Sequence, residues 1–407
     1  MEGTAPTLDL RAPGYRQNPY PTLARIRAEN PIHQDAMGVF YITRHADVTA
    51  ALKDPRLGRD LRKWIGYAMV RPYLADSPLE RCIEQWMFSV DAPQHTRLRQ
   101  LVARVFTPRA VAAMRSAIEQ VVDDILADLN TRNATEIEIM STFAQPFPVR
   151  VIASILGLPI TIYDDLKRWS TQVAVAFEPT SRRRERQQAS DAAVDLMAYL
   201  RELVAVRRDQ RTGDVVSILL AAAEDGDKLS EDELIAQLVM LFIAGHETTT
   251  HLIGNGLLTL CRHPEQMQRL RTDPSLGPRA VEEMLRYEPS VNTIARAAHA
   301  DTTLGGKPIP AGSIMLCMAG AANRDPDIFP DPDRFDIART PNPHVTFGGG
   351  VHYCLGAPLA RLESQVAFGR LLERFVSIEV DEQNVRWRDL VNLRGLEALP
   401  VRVTWGA

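Results

Sequence analysis

From Ser230 to His263 the sequence is compatible with one unbroken helix. Ser230 is a favourable N-cap, Glu233 stands at capping-box spacing from it, and Pro264 stops the helix after His263. Unbroken, such a rod is about 48 Å long, enough to cross a whole molecule of this size. The rest of the chain must pack around it, so a buried central helix in a mainly helical protein is expected. The middle of the rod, Leu241-Phe-Ile-Ala-Gly-His-Glu-Thr-Thr-Thr, is not ordinary core sequence. Gly245 weakens a helix interior, and threonine hydroxyls can turn back to i−4 carbonyls and bend it. An acid and alcohols inside an apolar helix are expensive unless they are used.

His246-Glu247 followed by His251 invites comparison with the zinc-protease pattern H-E-x-x-H. That pattern needs its second histidine four residues on, where this chain has Thr250. His251 lies about 140° further round the helix than His246, so the two do not share a metal.

A second feature is the stretch Phe347-Gly348-Gly349-Gly350-Val351-His352-Tyr353-Cys354-Leu355-Gly356, followed by an amphipathic helix with Pro358 tolerated in its first turn. Glycines at this density let a backbone pass close to something flat and bulky. Cys354 is then expected at a helix N-terminus, where backbone N–H groups favour a thiolate. The plain reading is a buried cysteine in a glycine-rich turn. The chemical reading is a soft-metal ligand, and a haem iron would account for the glycines. With Gly at one, three and nine residues after Phe347, His at five and Cys at seven, the stretch resembles the haem-thiolate signature of the cytochromes P450.

The resemblance extends over nearly the whole chain, and each further motif has a reading without it. Ala244-Gly-His-Glu-Thr-Thr resembles the family's central-helix motif; this implies that Glu247 and Thr248 are an acid–alcohol pair facing the haem, with Gly245 opening room for dioxygen and Ala244 beside it against the cofactor. Glu283 and Arg286, three apart on one helical face, would by themselves form a minor ion pair. The resemblance makes them a buried structural lock. His95 and Arg99, four apart, are either a solvated polar stripe or paired donors for two carboxylates. By resemblance they join Arg296 and His352 as partners of the haem propionates, while Phe347, Gly350 and Gly356 shape the loop around Cys354, the axial ligand. Substrate contacts are expected from Met87, Phe177, Leu241, Val291, Ile294 and Leu393, with segments 61–90 and 170–190 as a mobile lid.

Composition bounds the rest. Hydrophobic residues make up 45% of the 407, and the net charge is −4, which suggests neither nucleic acid nor an anionic membrane as partner. The four cysteines are widely spaced with no C-x-x-C, which excludes a disulfide framework or structural zinc and fits a reducing cytoplasm. No C-x-x-C-H motif is present, so the haem is expected to be b-type and non-covalent. The N-terminal residues lack a basic region followed by an apolar core, and Leu238–Gly245 is too short to span a bilayer, so neither a signal peptide nor membrane insertion is expected.

The expected fold is mainly α with a smaller β part (α+β), the cytochrome P450 fold with a long central helix over the haem. We expect one haem-binding domain over 1–407, with strands at about 30–60, 290–320 and 375–407. The implied reaction is NAD(P)H-driven monooxygenation of an apolar small molecule by a monomer. A separate ferredoxin and ferredoxin reductase are expected, docking on the cysteine side near Arg97, Arg104 and Arg361. Two alternatives remain at this point: a peroxide-driven peroxygenase, and a non-catalytic haem-thiolate recruitment module. By resemblance each usually lacks part of the acid–alcohol pair.

Overall fold

The computed structural model describes residues 8–10, 12–69, 77–175, 178, 181–224 and 229–406. The chain forms two compact units. One comprises Met1–Pro72, Gly254–Cys354 and Val385–Glu397; the other comprises Tyr73–Ile253, Leu355–Asn384 and Ala398–Ala407. The architecture is mainly helical with a smaller β part, as the sequence predicts.

The first unit carries a five-stranded mixed sheet in the order Ile32–Gln34, Phe40–Ile42, Ile314–Met318, Thr293–Ala298, Leu57–Gly58. Phe40–Ile42 runs parallel to Ile314–Met318, and Thr293–Ala298 runs antiparallel to it with Arg296 opposite Met315. The helix His45–Lys53 covers one face, burying Val48, Ala51 and Leu52 with Ile42, Met315 and Cys317.

In the same unit the helix Gly277–Tyr287 holds Glu283 and Arg286, both fully buried. Arg286 Nε and Nη2 each donate to Glu283 at 2.7 Å. The guanidinium also donates to Asn323 O, Pro332 O and Arg334 O, so all five of its N–H bonds are used. The minor local pair suggested by i,i+3 spacing is therefore corrected to a buried lock. Its remaining partners come from segments about fifty residues downstream, which helix spacing does not reveal.

The second unit is a set of helices, among them Arg115–Thr131, Pro146–Leu156, Tyr163–Ala174, Arg183–Asp209 and Ala357–Arg374. A three-stranded sheet sets Glu136–Glu138 and Phe375–Val380 on either side of Pro400–Trp405. Glu136–Glu138 lies outside the strand regions expected from the sequence. Its one apolar residue, Ile137, is too short a pattern to identify a strand before Val401 is known to sit opposite it.

The central helix spans Glu231–Arg262 and passes from the second unit into the first after Ile253. Its capping box is formed: Glu233 N donates to Ser230 Oγ at 3.1 Å and Ser230 N donates to Glu233 Oε2 at 3.0 Å. From Leu234 to Leu260 every residue is buried except Ala244, Gly245 and Thr248. These three lie at i, i+1 and i+4, one face of the helix.

The expected lid is only partly described, because residues 70–76 and 176, 177, 179 and 180 lie outside the described set. What is described is more ordered than a loop, with a helix at Pro78–Ile83 and short turns at Leu61–Lys63 and Met87–Ser89.

Candidate active site

The cysteine loop belongs to the first unit up to Cys354. Cys354 N donates to Phe347 O at 2.9 Å and Gly348 N donates to Val345 O at 2.8 Å, which closes the loop on itself. The Phe347 ring meets Tyr353 edge-on at 6.2 Å. Gly350 has φ +65, and a Cβ there would lie 2.5 Å from Leu52 O. The helix His45–Lys53 therefore demands this glycine, and no flat ligand is needed to explain it. At Gly356, by contrast, a Cβ would meet none of the described atoms within 4 Å. The following helix begins at Ala357, so Cys354 stands three residues ahead of it rather than on its first turn.

The four cysteines differ in chemistry. Cys82 and Cys317 are buried, and loss of water around each thiol pushes its pKa up to about 11. At Cys317 the nearby Arg296 and Arg59 guanidinia offset only part of that effect. Cys261 is half-buried in the last turn of the central helix, where the helix dipole opposes a thiolate. Cys354 is exposed.

Arg296 is buried at 1% exposure in its strand, with Nη1 donating to Ala295 O at 3.0 Å; His352 is half-buried. Val291 and Leu393 pair across an isolated bridge, Asn292 N donates to Asn392 O at 2.9 Å, and Ile294 packs half-buried against the sheet core. The structure thus brings together the expected substrate contacts Val291 and Leu393, which lie far apart in sequence.

In the second unit His95 is buried and Arg99 half-buried on the helix Gln94–Ala103. Arg97 forms an ion pair with Glu233, while Arg104 is exposed and Arg361 half-buried. Met87 N donates to Gln237 Oε1 at 3.0 Å, placing it one helical turn before the buried Leu241. Phe177 lies outside the described residues.

The middle of the central helix separates the acid from the alcohol. Glu247 is buried, and its Oε1 accepts from Thr171 Oγ1 on the helix Tyr163–Ala174 at 2.9 Å. His246 Nδ1 lies 3.5 Å from Oε1 and His251 Nε2 lies 3.6 Å from Oε2. Among the described residues no group of three or more His, Cys, Asp or Glu side chains is placed to hold a metal ion. Thr248 is half-buried and its hydroxyl donates to Ala244 O at 2.7 Å, the i−4 back-bond expected of a mid-helix threonine. A Cβ on Gly245 would come within 3.1 Å of Ile152 Cδ1. That glycine serves packing of the central helix against Pro146–Leu156. The more open positions are Ala244 and Thr248.

These donors suit a flat, dianionic macrocycle with a soft axial position. In the first unit they are the exposed Cys354 thiol and the buried Arg296 guanidinium. The model of the family described as cytochrome P450 matches residues 68–274 and 276–395. The chain belongs to the cytochrome P450 family.

Among P450 relatives, Cytochrome P450 107B1 of Saccharopolyspora erythraea is 41% identical, over 98% of each chain. The vitamin D(3) 25-hydroxylase of Pseudonocardia autotrophica is 40% identical over 97% of this chain and 96% of that protein. The structure of P450BioI in complex with a hexadec-9Z-enoic acid-ligated acyl carrier protein superposes with a TM-score of 0.89 at 37% identity, covering 96% of this chain and all of that one. The chain is thus a haem-thiolate P450 monooxygenase, an oxidoreductase with a haem iron cofactor. Among the described residues no helix is long and apolar enough to cross a membrane.

Proposed function

We propose that this P450 binds a b-type haem through Cys354 and oxygenates an apolar small molecule. Electrons would come from NAD(P)H through a separate ferredoxin and its reductase. The observation that carries the reading is the contrast among the cysteines. Two buried thiols are held neutral by pKa values pushed up to about 11, while the exposed one ends the glycine-rich loop.

The bound haem supplies the redox centre at which dioxygen is activated, and thiolate donation favours O–O cleavage. The protein's own residues do the rest. Arg296, His352, His95 and Arg99 neutralise the two propionates, because buried carboxylates need charged donors. Thr248 orders water at the open face of the central helix, and Glu247 resupplies the proton. Glu283 and Arg286 keep the first unit rigid.

Met87 and Leu241 in the second unit, and Val291, Ile294 and Leu393 in the first, are the apolar residues we assign to the substrate. The vitamin D(3) and fatty-acyl ligands of the two relatives support an apolar substrate class. The family match runs through residues of both compact units, which supports one haem-binding domain over 1–407. Cysteine usage supports a cytoplasmic location, and the protein is proposed to act as a monomer. The retained Glu247 and Thr248 argue against the peroxygenase and the recruitment module.

The test is spectroscopic. Reduced, CO-bound protein shows the thiolate-specific absorption band, and Cys354→Ser loses it. Persistence of the band in that variant would assign the ligand to another cysteine and end this reading.

A further inference from the structure

A buried acid that resupplies protons needs a connection to solvent, and among Ser170, Thr171, His246 and His251 around Glu247, Thr171 is the least buried. Ser170, His246, Glu247 and His251 are all nine-tenths or more buried, at 0%, 0%, 2% and 1% exposure. Thr171 is only half-buried, and it donates its hydroxyl to Glu247 Oε1 at 2.9 Å. The imidazoles stand on either side of the carboxylate, His246 Nδ1 toward Oε1 and His251 Nε2 toward Oε2. His246 Nδ1 is itself tied to Ser170 Oγ at 2.7 Å, on the same helix as Thr171. One carboxylate oxygen is thus shared by the hydroxyl of a half-buried residue and an anchored imidazole. The other faces the second imidazole one turn further along the central helix.

We propose that Thr171 is the positioning residue through which Glu247 exchanges its proton with solvent, with His246, His251 and Ser170 fixing the carboxyl in the orientation that keeps this contact. The proposal rests on Glu247 being the proton-resupplying acid. The step is a proton transfer alone. A solvent hydronium ion gives a proton to the Thr171 hydroxyl as that hydroxyl passes its own to the Glu247 carboxylate at Oε1, leaving water, an intact hydroxyl and a neutral carboxyl, so atoms and charge balance. Thr171 touches neither haem nor substrate in this scheme; it acts through Glu247.

The experiment compares Thr171→Val, Thr171→Ser and Glu247→Gln with the wild-type holoenzyme under one set of redox partners. Thr171→Val is expected to lower kcat by about two- to tenfold, the value of one hydrogen bond. It should raise the solvent isotope effect on kcat and leave substrate affinity unchanged. Thr171→Ser restores both. An infrared band assigned to the Glu247 carboxyl, by its loss in Glu247→Gln, shifts in Thr171→Val and returns in Thr171→Ser. Wild-type kcat, isotope effect and band position in Thr171→Val would overturn the inference while Glu247→Gln is still impaired. A Glu247→Gln variant with wild-type turnover would remove the acid assignment and this inference together.

Discussion

Replacing Glu283 by Gln tests how much the first unit depends on one buried carboxylate. Glu283 Oε1 accepts from Arg286 Nη2, Arg339 Nε and Asp336 N at 2.7, 3.1 and 3.0 Å. Its Oε2 accepts from Arg286 Nε and Asn342 Nδ2 at 2.7 and 3.1 Å. Glutamine keeps the shape, so no cavity forms. Its amide NH2 nevertheless turns at least two of these bonds into donor–donor contacts, whichever way the amide is placed. It also leaves the guanidinia of Arg286 and Arg339 without their shared anion. A surface pair of this kind is worth about 0–1 kcal/mol. Removing one partner of a buried pair costs about 3–5 kcal/mol, and with both side chains fully buried that is the range expected.

Urea unfolding of Glu283→Gln and wild type, followed by circular dichroism, gives the difference. Hydrogen exchange at 277–287 separates local opening from global unfolding in a cofactor-bound protein that departs from two-state behaviour. A loss below about 1 kcal/mol, or one that disappears in about 1 M salt, would show that the pair behaves like a surface one and refute the reasoning.

Two further outcomes are expected. Thr248→Ala should still bind haem and consume NADH, but product per NADH falls several-fold and released hydrogen peroxide rises; Thr249 and Thr250 lie about 100° and 200° further round the helix and do not substitute. Full coupling in that variant would remove Thr248 from proton delivery. The Cys317 thiol, raised from 9.0 to about 11 in the folded protein, contributes stability that is complete below about pH 9 and is lost as pH rises through about 11. Cys317→Ala therefore flattens the dependence of the urea midpoint on pH across that window, though it lowers stability at neutral pH; an unchanged slope would mean that the thiol ionises normally.

Local signals made the frame of the molecule readable. The Ser230–Glu233 box and Pro264 set the ends of the central helix to within a residue of Glu231–Arg262, because capping and proline act on their own few neighbours. The cysteine loop was readable for the same reason. The surroundings of Glu247 were half readable. Angular spacing excludes a metal shared by His246 and His251, yet the same arithmetic places His251 at i+4 from Glu247, within reach of its second oxygen. Thr171 and Ser170 could not be found this way, since they arrive from another helix about seventy residues earlier.

The glycines carry the sharper lesson. A glycine reports that a Cβ would collide with something, without saying with what. At Gly350 the obstacle is Leu52 O, and at Gly245 it is the Ile152 side chain, both contributed by helices remote in sequence. In each case packing within the protein is one reason for the glycine. What distinguishes the chemical face of the central helix is departure from burial. A helix sealed nearly all round has no amphipathic period to read, so Ala244 and Thr248 become conspicuous only once their neighbours are known to be covered. The acid beside them is covered, held by Thr171 and flanked by two imidazoles, so acid and alcohol leave the rod in different directions. Proton supply and proton use are thus assigned to different faces of one helix, and only a water or a side-chain rotation joins them.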